Sequence, residues 1–297
     1  MLNESVKEMD LSTKISIITC SYQQASFLEY SIRSVLEQEY SNTEYLVIDG
    51  ASSDGSVEII ERYADRLAYF VSEKDDGQSQ ALNKGLMHST GQILGWLCSD
   101  DLLLPGALQA VAAYFETHPE VDAVYGDAIL IDESGTVVCP KREMGFSPMT
   151  ILHDYNYIPQ PSMFWRRALM DRVGLLDENL HLSMDADYWL RFAQIGKVMH
   201  VSEFWSCMRL HGAQKVFVNR PGVYREANLL RQRHAKDLNL NGPRWFFWWY
   251  ARLYRVLIRF LSNGYNRSSP DGIRDWLSSL HATASPGSVT LSKKASR

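Results

Sequence analysis

Residues 44–56, Glu44-Tyr-Leu-Val-Ile-Asp-Gly-Ala-Ser-Ser-Asp-Gly-Ser56, pass from an apolar run into a polar, glycine-bearing turn and then into a helical pattern. Tyr45–Asp49 reads as a buried strand and Ser56–Ala64 as the helix that follows it. The same alternation extends outward on both sides. Toward the N-terminus, Ile15–Cys20 reads as a strand and Ala25–Glu37 as a helix with apolar residues at Phe27, Ile32, Val35 and Leu36. Toward the C-terminus, Leu67–Val71, Gln78–His88, Ile93–Cys98 and Pro105–Glu116 repeat the scheme, and Val121–Tyr125 closes it. Parallel strands need crossover connections, and helices of this length supply them. The spacing therefore predicts an α/β fold, with a doubly wound, mostly parallel sheet flanked by helices.

From Gly126 to His211 the alternation becomes irregular. Ala128–Ile131, Glu133–Gly135 and Thr136–Cys139 read as a hairpin, Met184–Gln194 as a helix, and Val198–Val201 and Cys207–Leu210 as short strands. Further on, Gly222–Asp237, Pro243–Leu261 and Gly272–His281 read as helices of a C-terminal appendage. These patterns divide the chain into a polar N-terminal segment (1–13), a main domain (14–215) and a helical extension (216–281). The main domain has a regularly alternating half (14–125) and an irregular half (126–215). The tail, 282–297, is rich in Ser, Lys and Gly and is expected to be disordered.

The chain has 297 residues, 45% hydrophobic and 22% charged, and its formal net charge is −5. That is enough to bury a core without covalent staples. The acidic balance argues against a nucleic-acid partner, which normally requires a basic footprint. Cys20, Cys98, Cys139 and Cys207 lie far apart and form no CxxC pair. This is neither a zinc pattern nor a disulfide framework, and it fits a reducing compartment. The first residues are polar and acidic with no apolar core, and no stretch reaches the uncharged apolar length of about 18 residues expected of a membrane span. A cytoplasmic location is the expectation.

In an open parallel sheet, ligands bind beyond the carboxyl ends of the strands. Four consecutive strand ends here are polar: Thr19-Cys-Ser-Tyr22, Asp49-Gly-Ala-Ser-Ser-Asp-Gly-Ser56, Glu73-Lys-Asp-Asp-Gly-Gln78 and Ser99-Asp-Asp101. Each alone reads more readily as structural. Asp54 could cap a helix, Asp49-Gly50 could be a turn, and Asp101 could be a loop carboxylate. Together at one rim they point to a ligand. Carboxylates crowded in this way need a counter-charge. A hard cation with oxygen ligands, Mg²⁺ or Mn²⁺, shared with the phosphates of a diphosphate, would provide it. The rim lacks the G-x-x-x-x-G-K-[ST] loop of a P-loop site and the G-x-G-x-x-G of a dinucleotide site.

These stretches resemble glycosyltransferase family 2, inverting enzymes with the GT-A fold. The similarity runs through Ile15-Ser-Ile-Ile-Thr-Cys-Ser-Tyr-Gln-Gln24, the 44–56 stretch, Asp76-Gly-Gln-Ser-Gln-Ala-Leu-Asn-Lys-Gly85 and Gly91-Gln-Ile-Leu-Gly-Trp-Leu-Cys-Ser-Asp-Asp101. It continues in Val124-Tyr-Gly-Asp127, Gln160-Pro-Ser-Met163, Met184-Asp-Ala-Asp-Tyr-Trp-Leu-Arg191 and Arg209-Leu-His-Gly212. The resemblance implies transfer of a sugar from a nucleotide-diphosphate donor to a hydroxyl of a glycan or lipid-linked glycan. It implies a nucleotide-sugar pocket lined by Thr19, Ser21, Tyr22, Asp49, Asp54, Gln78, Asn83 and Asp100. It further implies that Asp101 and His211 contact a metal, that Gln160 lies on the acceptor side, and that Asp185 is the base. Met184 stands where the family often has a glutamate.

If Met184–Gln194 is helical, Asp185, Tyr188 and Trp189 share a face while Asp187 points elsewhere. With the resemblance, this favours Asp185 as base and Trp189 as a flat platform for an acceptor sugar. Without it, Asp185 would be a cap and Trp189 a core residue. In the Pro243–Leu261 helix, Arg244, Arg252, Arg255 and Arg259 fall on one face opposite aromatic and aliphatic residues. That pattern describes a helix in the plane of a membrane surface, such as the inner face of the cytoplasmic membrane, or one packed on protein. Two rival functions make distinguishable demands. A sugar nucleotidyltransferase would carry a glycine-rich basic loop after the first strand, where Ser21-Tyr-Gln-Gln-Ala25 stands. A non-catalytic carbohydrate-binding relative would have lost Asp101 or Asp185.

Overall fold

The computed structural model describes residues 13–261, 264, 266 and 268–282. Apart from residues 13 and 282, the expected polar segment and the expected disordered tail lie outside them. The chain runs β1 (Ile15–Ser21), α1 (Ala25–Leu36), β2 (Thr43–Asp49), α2 (Ser56–Glu61), β3 (Tyr69–Ser72), α3 (Gln78–His88), β4 (Ile93–Cys98), β5 (Leu102–Leu103) and α4 (Ala107–Thr117). It continues with β6 (Ala123–Ile131), β7 (Val137–Lys141), α5 (Pro148–His153), β8 (Met163–Arg166), α6 (Arg167–Val173), α7 (Met184–Ile195) and β9 (Val198–Arg209). Four helices follow: α8 (Lys215–Val218), α9 (Arg220–His234), α10 (Arg244–Leu261) and α11 (Ile273–Ala282).

A nine-stranded sheet in the order β3-β2-β1-β4-β8-β6-β9-β5 organises these elements, with β7 paired to β6. The first four strands are parallel. β8 then enters antiparallel between β4 and β6, while β9 runs parallel to β6. The central strands β1, β2 and β4 are buried on both faces, which is why they are largely apolar. On β1, Ile15 and Ile17 face a cluster built with Leu28, Ile32 and Val35 of α1, Ile60 of α2, and Val111 and Phe115 of α4. Ile18 and Cys20 face the opposite cluster, with Leu82 and Leu86 of α3, Leu152 of α5, Leu169 of α6 and Trp189 of α7. Two-residue periodicity in the strand thus becomes two helical layers.

Two expectations change here. The expected strands Val121–Tyr125 and Ala128–Ile131 merge into one strand, β6, which starts at Ala123, and Val198–Val201 and Cys207–Leu210 merge into one strand, β9, which ends at Arg209. The acid that seemed to interrupt β6 is satisfied inside the sheet, whereas Ser202 and Glu203 of β9 are exposed. Asp127, fully buried, accepts from His200 Nε2 at 2.8 Å and from the Glu143 N–H at 2.9 Å. The β6–β9 register shifts on both sides of Asp127, where the strands slip past the break.

The C-terminal extension packs onto the main domain. Leu230 of α9 joins the α3/α7 cluster, and Arg231 donates to the Leu152 carbonyl at 3.1 Å. Ile273, Leu277 and Leu280 of α11 close a third cluster with Tyr30, Leu102 and Ile129. Helix α10 lies on α5, with Ala251 buried and Tyr254 and Ile258 packed against the core. Arg255 turns inward to Asp154 (2.7 Å) and Arg259 lies 4.0 Å from Glu143. Trp245, Phe246, Trp249, Tyr250, Leu253 and Phe260 are instead exposed. Among the described residues, no helix is long and apolar enough to cross a membrane.

Candidate active site

The parallel register lines up the polar strand ends. Ser21 of β1 sits beside Asp49 of β2, and Asp49 beside Ser72 of β3. Asp49 is fully buried, and its carboxylate accepts from Ser52 N–H (2.8 Å), Ser52 Oγ (2.6 Å) and Ser72 Oγ (2.7 Å). It anchors the turn after β2. Thr19 is also fully buried, with Oγ1 2.9 Å from Tyr45 Oη. Ser21 Oγ is buried without a partner, whereas Tyr22 is exposed at the rim. Asp54 accepts from the first backbone N–H groups of two helices, Ala25 at 2.9 Å and Ser56 at 3.1 Å, and from Ser56 Oγ at 2.6 Å. Burial opposes ionisation of Asp54, but these hydrogen bonds prevail and hold its carboxyl below its ordinary range.

Asp75, which sequence reasoning did not single out, lies at the same rim beside Gly50 and Tyr22. A Cβ on Gly50 would lie 2.8 Å from Asp75 Oδ2 and 3.2 Å from Tyr22, so glycine is what lets these three converge. Burial lifts the Asp75 carboxyl above its ordinary range, against the Gly77 N–H bond that favours the charged form.

After β4 the chain turns through Cys98, Asp100 and Asp101. The Cys98 sulfur and one carboxylate oxygen from each aspartate lie within 4.8 Å of one another. Asp101 is buried and accepts the Arg209 N–H at 2.9 Å. Burial, then the charge of Asp100, push its carboxyl well above the carboxylate range. Asp100 is paired with His211, Oδ2 to Nε2, at 2.9 Å. His211 therefore meets the acidic step through Asp100 and stands outside the three-residue group.

Two carboxylates at this separation suit a hard cation such as Mg²⁺ or Mn²⁺. The Cys98 thiol is kept well above its ordinary range by its hydrogen bond with Cys20 and by burial, so it offers a neutral sulfur. Part of the counter-charge is already built in. The buried Arg209 guanidinium donates through Nε to the Asp100 carbonyl at 3.0 Å and lies over the Phe27 ring at 4.9 Å. The Arg209-Leu-His stretch was visible in the sequence, but the arginine's direction was not.

Helix α3 ties this step to α7. Gln78 Nε2 donates to Cys98 Sγ at 3.3 Å, and Gln160 Oε1 accepts from Cys98 Sγ at 3.2 Å. The next residue, Ser79, donates to the Leu180 carbonyl at 2.8 Å and lies 2.9 Å from Met184 Sδ. Lys215 Nζ reaches Gln78 Oε1 at 3.4 Å and adds a cation that the sequence did not announce.

Asp185 stands in the first turn of α7, partly buried, and accepts from Asn156 Nδ2 at 2.7 Å and from the Ala186 N–H at 2.8 Å. Burial raises its pKa to about 6, with the hydrogen bonds acting in the opposite direction. Asp187 points the other way, to Arg191 (2.9 Å) and His234 (2.8 Å).

Two expected site residues turn out to be packing residues. Trp189 is fully buried, stacked on Trp96 at 5.4 Å and edged by Trp165 and Phe192, so no acceptor sugar can lie on its ring. The i+4 spacing gave the right face, but that face looks into the aromatic core. Asn83 is buried and exchanges hydrogen bonds with Leu176 while donating to Glu178 Oε1 at 2.9 Å. It secures the loop after α6.

A family model described as "Glycosyl transferase family 2" matches residues 16–172. An uncharacterized glycosyltransferase of Rickettsia typhi is 29% identical over 218 residues, 70% of this chain and 68% of the relative. Among solved structures, S. aureus TarS 1–349 in complex with UDP-GlcNAc superposes with a TM-score of 0.62 at 17% identity, covering 79% of this chain and 69% of that one. The mannosyltransferase PcManGT from Pyrobaculum calidifontis, in complex with GDP-Man and Mn²⁺, gives 0.52 at 18% identity, covering 94% and 75%.

Proposed function

The chain belongs to glycosyltransferase family 2, and from that premise we propose that it transfers a sugar, with inversion, from a nucleotide-diphosphate donor to a hydroxyl of a glycan or lipid-linked glycan. One observation carries the reading. Adjacent residues of α3 join the acidic step to the start of α7, Gln78 touching Cys98 and Ser79 touching Met184. A diphosphate site and a carboxylate base belong to one cleft on this view. The nucleotide sugars named for the two solved relatives, UDP-GlcNAc and GDP-Man, support a donor of that class.

The acceptor oxygen attacks the anomeric carbon on the face opposite the leaving group. As that bond forms, the hydroxyl proton passes to Asp185, and the bond to the diphosphate oxygen breaks. A single displacement of this kind inverts the anomeric centre. A carboxylate with a pKa near 6 is ionised at neutral pH yet basic enough to share a proton in the transition state. Asp101 and Asp100 would hold a divalent cation, Mg²⁺ or Mn²⁺, which when bound supplies Lewis-acid stabilisation of the departing charge. Gln78 and Gln160, hydrogen-bonded to Cys98, keep the wall of the cleft in place, and Lys215 brings positive charge to its mouth.

The exposed face of α10 completes the proposal. Arg244 and Arg252, no carboxylate and a surface of Trp, Phe, Tyr and Leu suit a helix lying on an anionic lipid surface at the cytoplasmic side, where a lipid-linked acceptor would be found.

The decisive experiment incubates the protein with a panel of sugar nucleotides, Mn²⁺ and candidate acceptors, and identifies the small product. Free nucleoside diphosphate is expected. Pyrophosphate would establish nucleotidyl transfer instead, and donor binding without any product would establish a binding relative.

A further inference from the structure

We propose that Glu226, on α9 of the C-terminal extension, is a positioning residue for Asp185. The inference rests on the reading of Asp185 as the base. Glu226 lies beyond the segment that the family model matches, and sequence patterning marked it only as part of a helix.

Its carboxylate accepts from three consecutive backbone N–H groups: His181 at 3.1 Å, Leu182 at 2.9 Å and Ser183 at 2.8 Å. Ser183 caps α7, and Asp185 sits two residues on, in its first turn. Successive N–H groups at a helix start form a concave donor site, and an anion placed there fixes the local backbone. α7 makes no side-chain cap of its own at Ser183, so the clamp at its entry comes from α9.

The opposite flank of Asp185 is fixed from the same extension. Arg255 of α10 donates to Asp154 at 2.7 Å and lies over the Tyr155 ring at 4.9 Å. The next residue, Asn156, donates to Asp185 at 2.7 Å. Asp185 is therefore held between two hydrogen-bonded segments, each gripped by a charged residue from the extension. A misplacement of about 1 Å in a reacting group can cost about a hundredfold in rate, so this bracing acts on turnover rather than on donor binding.

The test compares full-length wild type with Glu226→Gln, Glu226→Ala and Asp185→Asn. Donor-binding stoichiometry is measured by calorimetry so that kcat is expressed per competent site. Gln keeps the shape but turns a donor toward one of the three N–H groups, and Ala removes all three bonds. The expected result is a graded fall in kcat, about 10-fold for Gln and up to about 100-fold for Ala, with the donor KM within about twofold of wild type. A loss of packing alone would lower the competent fraction and leave kcat per site unchanged, and that result overturns the proposal. If the Ala variant does not fold, the Gln variant decides. Wild-type turnover by Glu226→Gln beside an inactive Asp185→Asn defeats this inference alone. Wild-type turnover by Asp185→Asn defeats the base assignment, and this inference with it.

Discussion

Asp185 gains its chemical character from a conflict between burial and hydrogen bonding. Burial raises its pKa to about 6, while the Asn156 and Ala186 bonds resist the rise. A base must be ionised, so kcat should be level above pH 6 and fall about tenfold per unit below it. Asp185→Asn should lose about 10²–10⁴-fold in kcat while donor affinity, read by calorimetry, stays within a few-fold of wild type. The folded-state pKa is raised, so the folded protein binds this proton more tightly than the unfolded chain does. The ionised group thus costs stability at neutral pH, and that cost fades as pH falls through 6 toward 4. Asp185→Asn should accordingly melt slightly above wild type at pH 8, with the gap closing near pH 4. At the acidic step, Asp101→Ala should abolish the Mn²⁺-dependent part of donor binding, measured by titration with and without the metal. Most of these positions could be picked out from the sequence because polar residues at the ends of apolar strands are conspicuous. Their roles were harder to read. Asp49 and Asp54 present the expected carboxylates, yet both are engaged in holding turns and helix starts. Trp189 and Asn83 lie on the expected helices but face the interior, since a helical period gives a face and not what lies opposite it.

Among elements, α3 shows how tightly the site is seated. Gly85 presses α3 onto β1, and a Cβ there would lie 2.3 Å from Ile18 Cγ2. Gly85→Ala should therefore destabilise the fold by about 1–3 kcal/mol despite the better helix propensity of alanine, as read by urea unfolding. Helix α10 makes the opposite case. Its periodic arginines and aromatics were legible in the sequence, but not which set faces the protein. Arg255 and Arg259 turn inward because buried acids, Asp154 and Glu143, await them, and the aromatic set is left outside. If that face lies on lipid, replacing Trp249 and Leu253 together with serine should reduce co-sedimentation with anionic vesicles. Turnover of a water-soluble acceptor should stay unchanged. Equal vesicle binding by wild type and variant would remove α10 as the contact. The β6 and β9 strands were split in the sequence reading because Asp127 and Ser202-Glu203 break the apolar run, and a buried pairing with His200 is not visible in a local window.

At the scale of the whole molecule, the extension is joined to the main domain through charged contacts as well as apolar ones. Asp187 pairs with His234, Asp154 with Arg255, and Leu230 enters the α3/α7 cluster. A chain ending at residue 219 would leave Asp187 and Asp154 without these partners and uncover the outer side of α5 and α7. It should lose activity and unfold at markedly lower urea, by several kcal/mol if one buried ion pair is broken in this way. Retention of wild-type stability by the truncated chain would show that the helices are only an attachment. Local sequence determined the alternating strands and helices, the double burial of the parallel strands and the polar rim, because periodicity and strand-end polarity are set by near neighbours. Tertiary structure alone decided which acids remain open to a ligand, which arginine sits beside Asp100 and Asp101, and that helices from the far end of the chain hold the candidate base. Those outcomes depend on contacts between residues tens to more than a hundred positions apart, whose pairing no periodic pattern encodes.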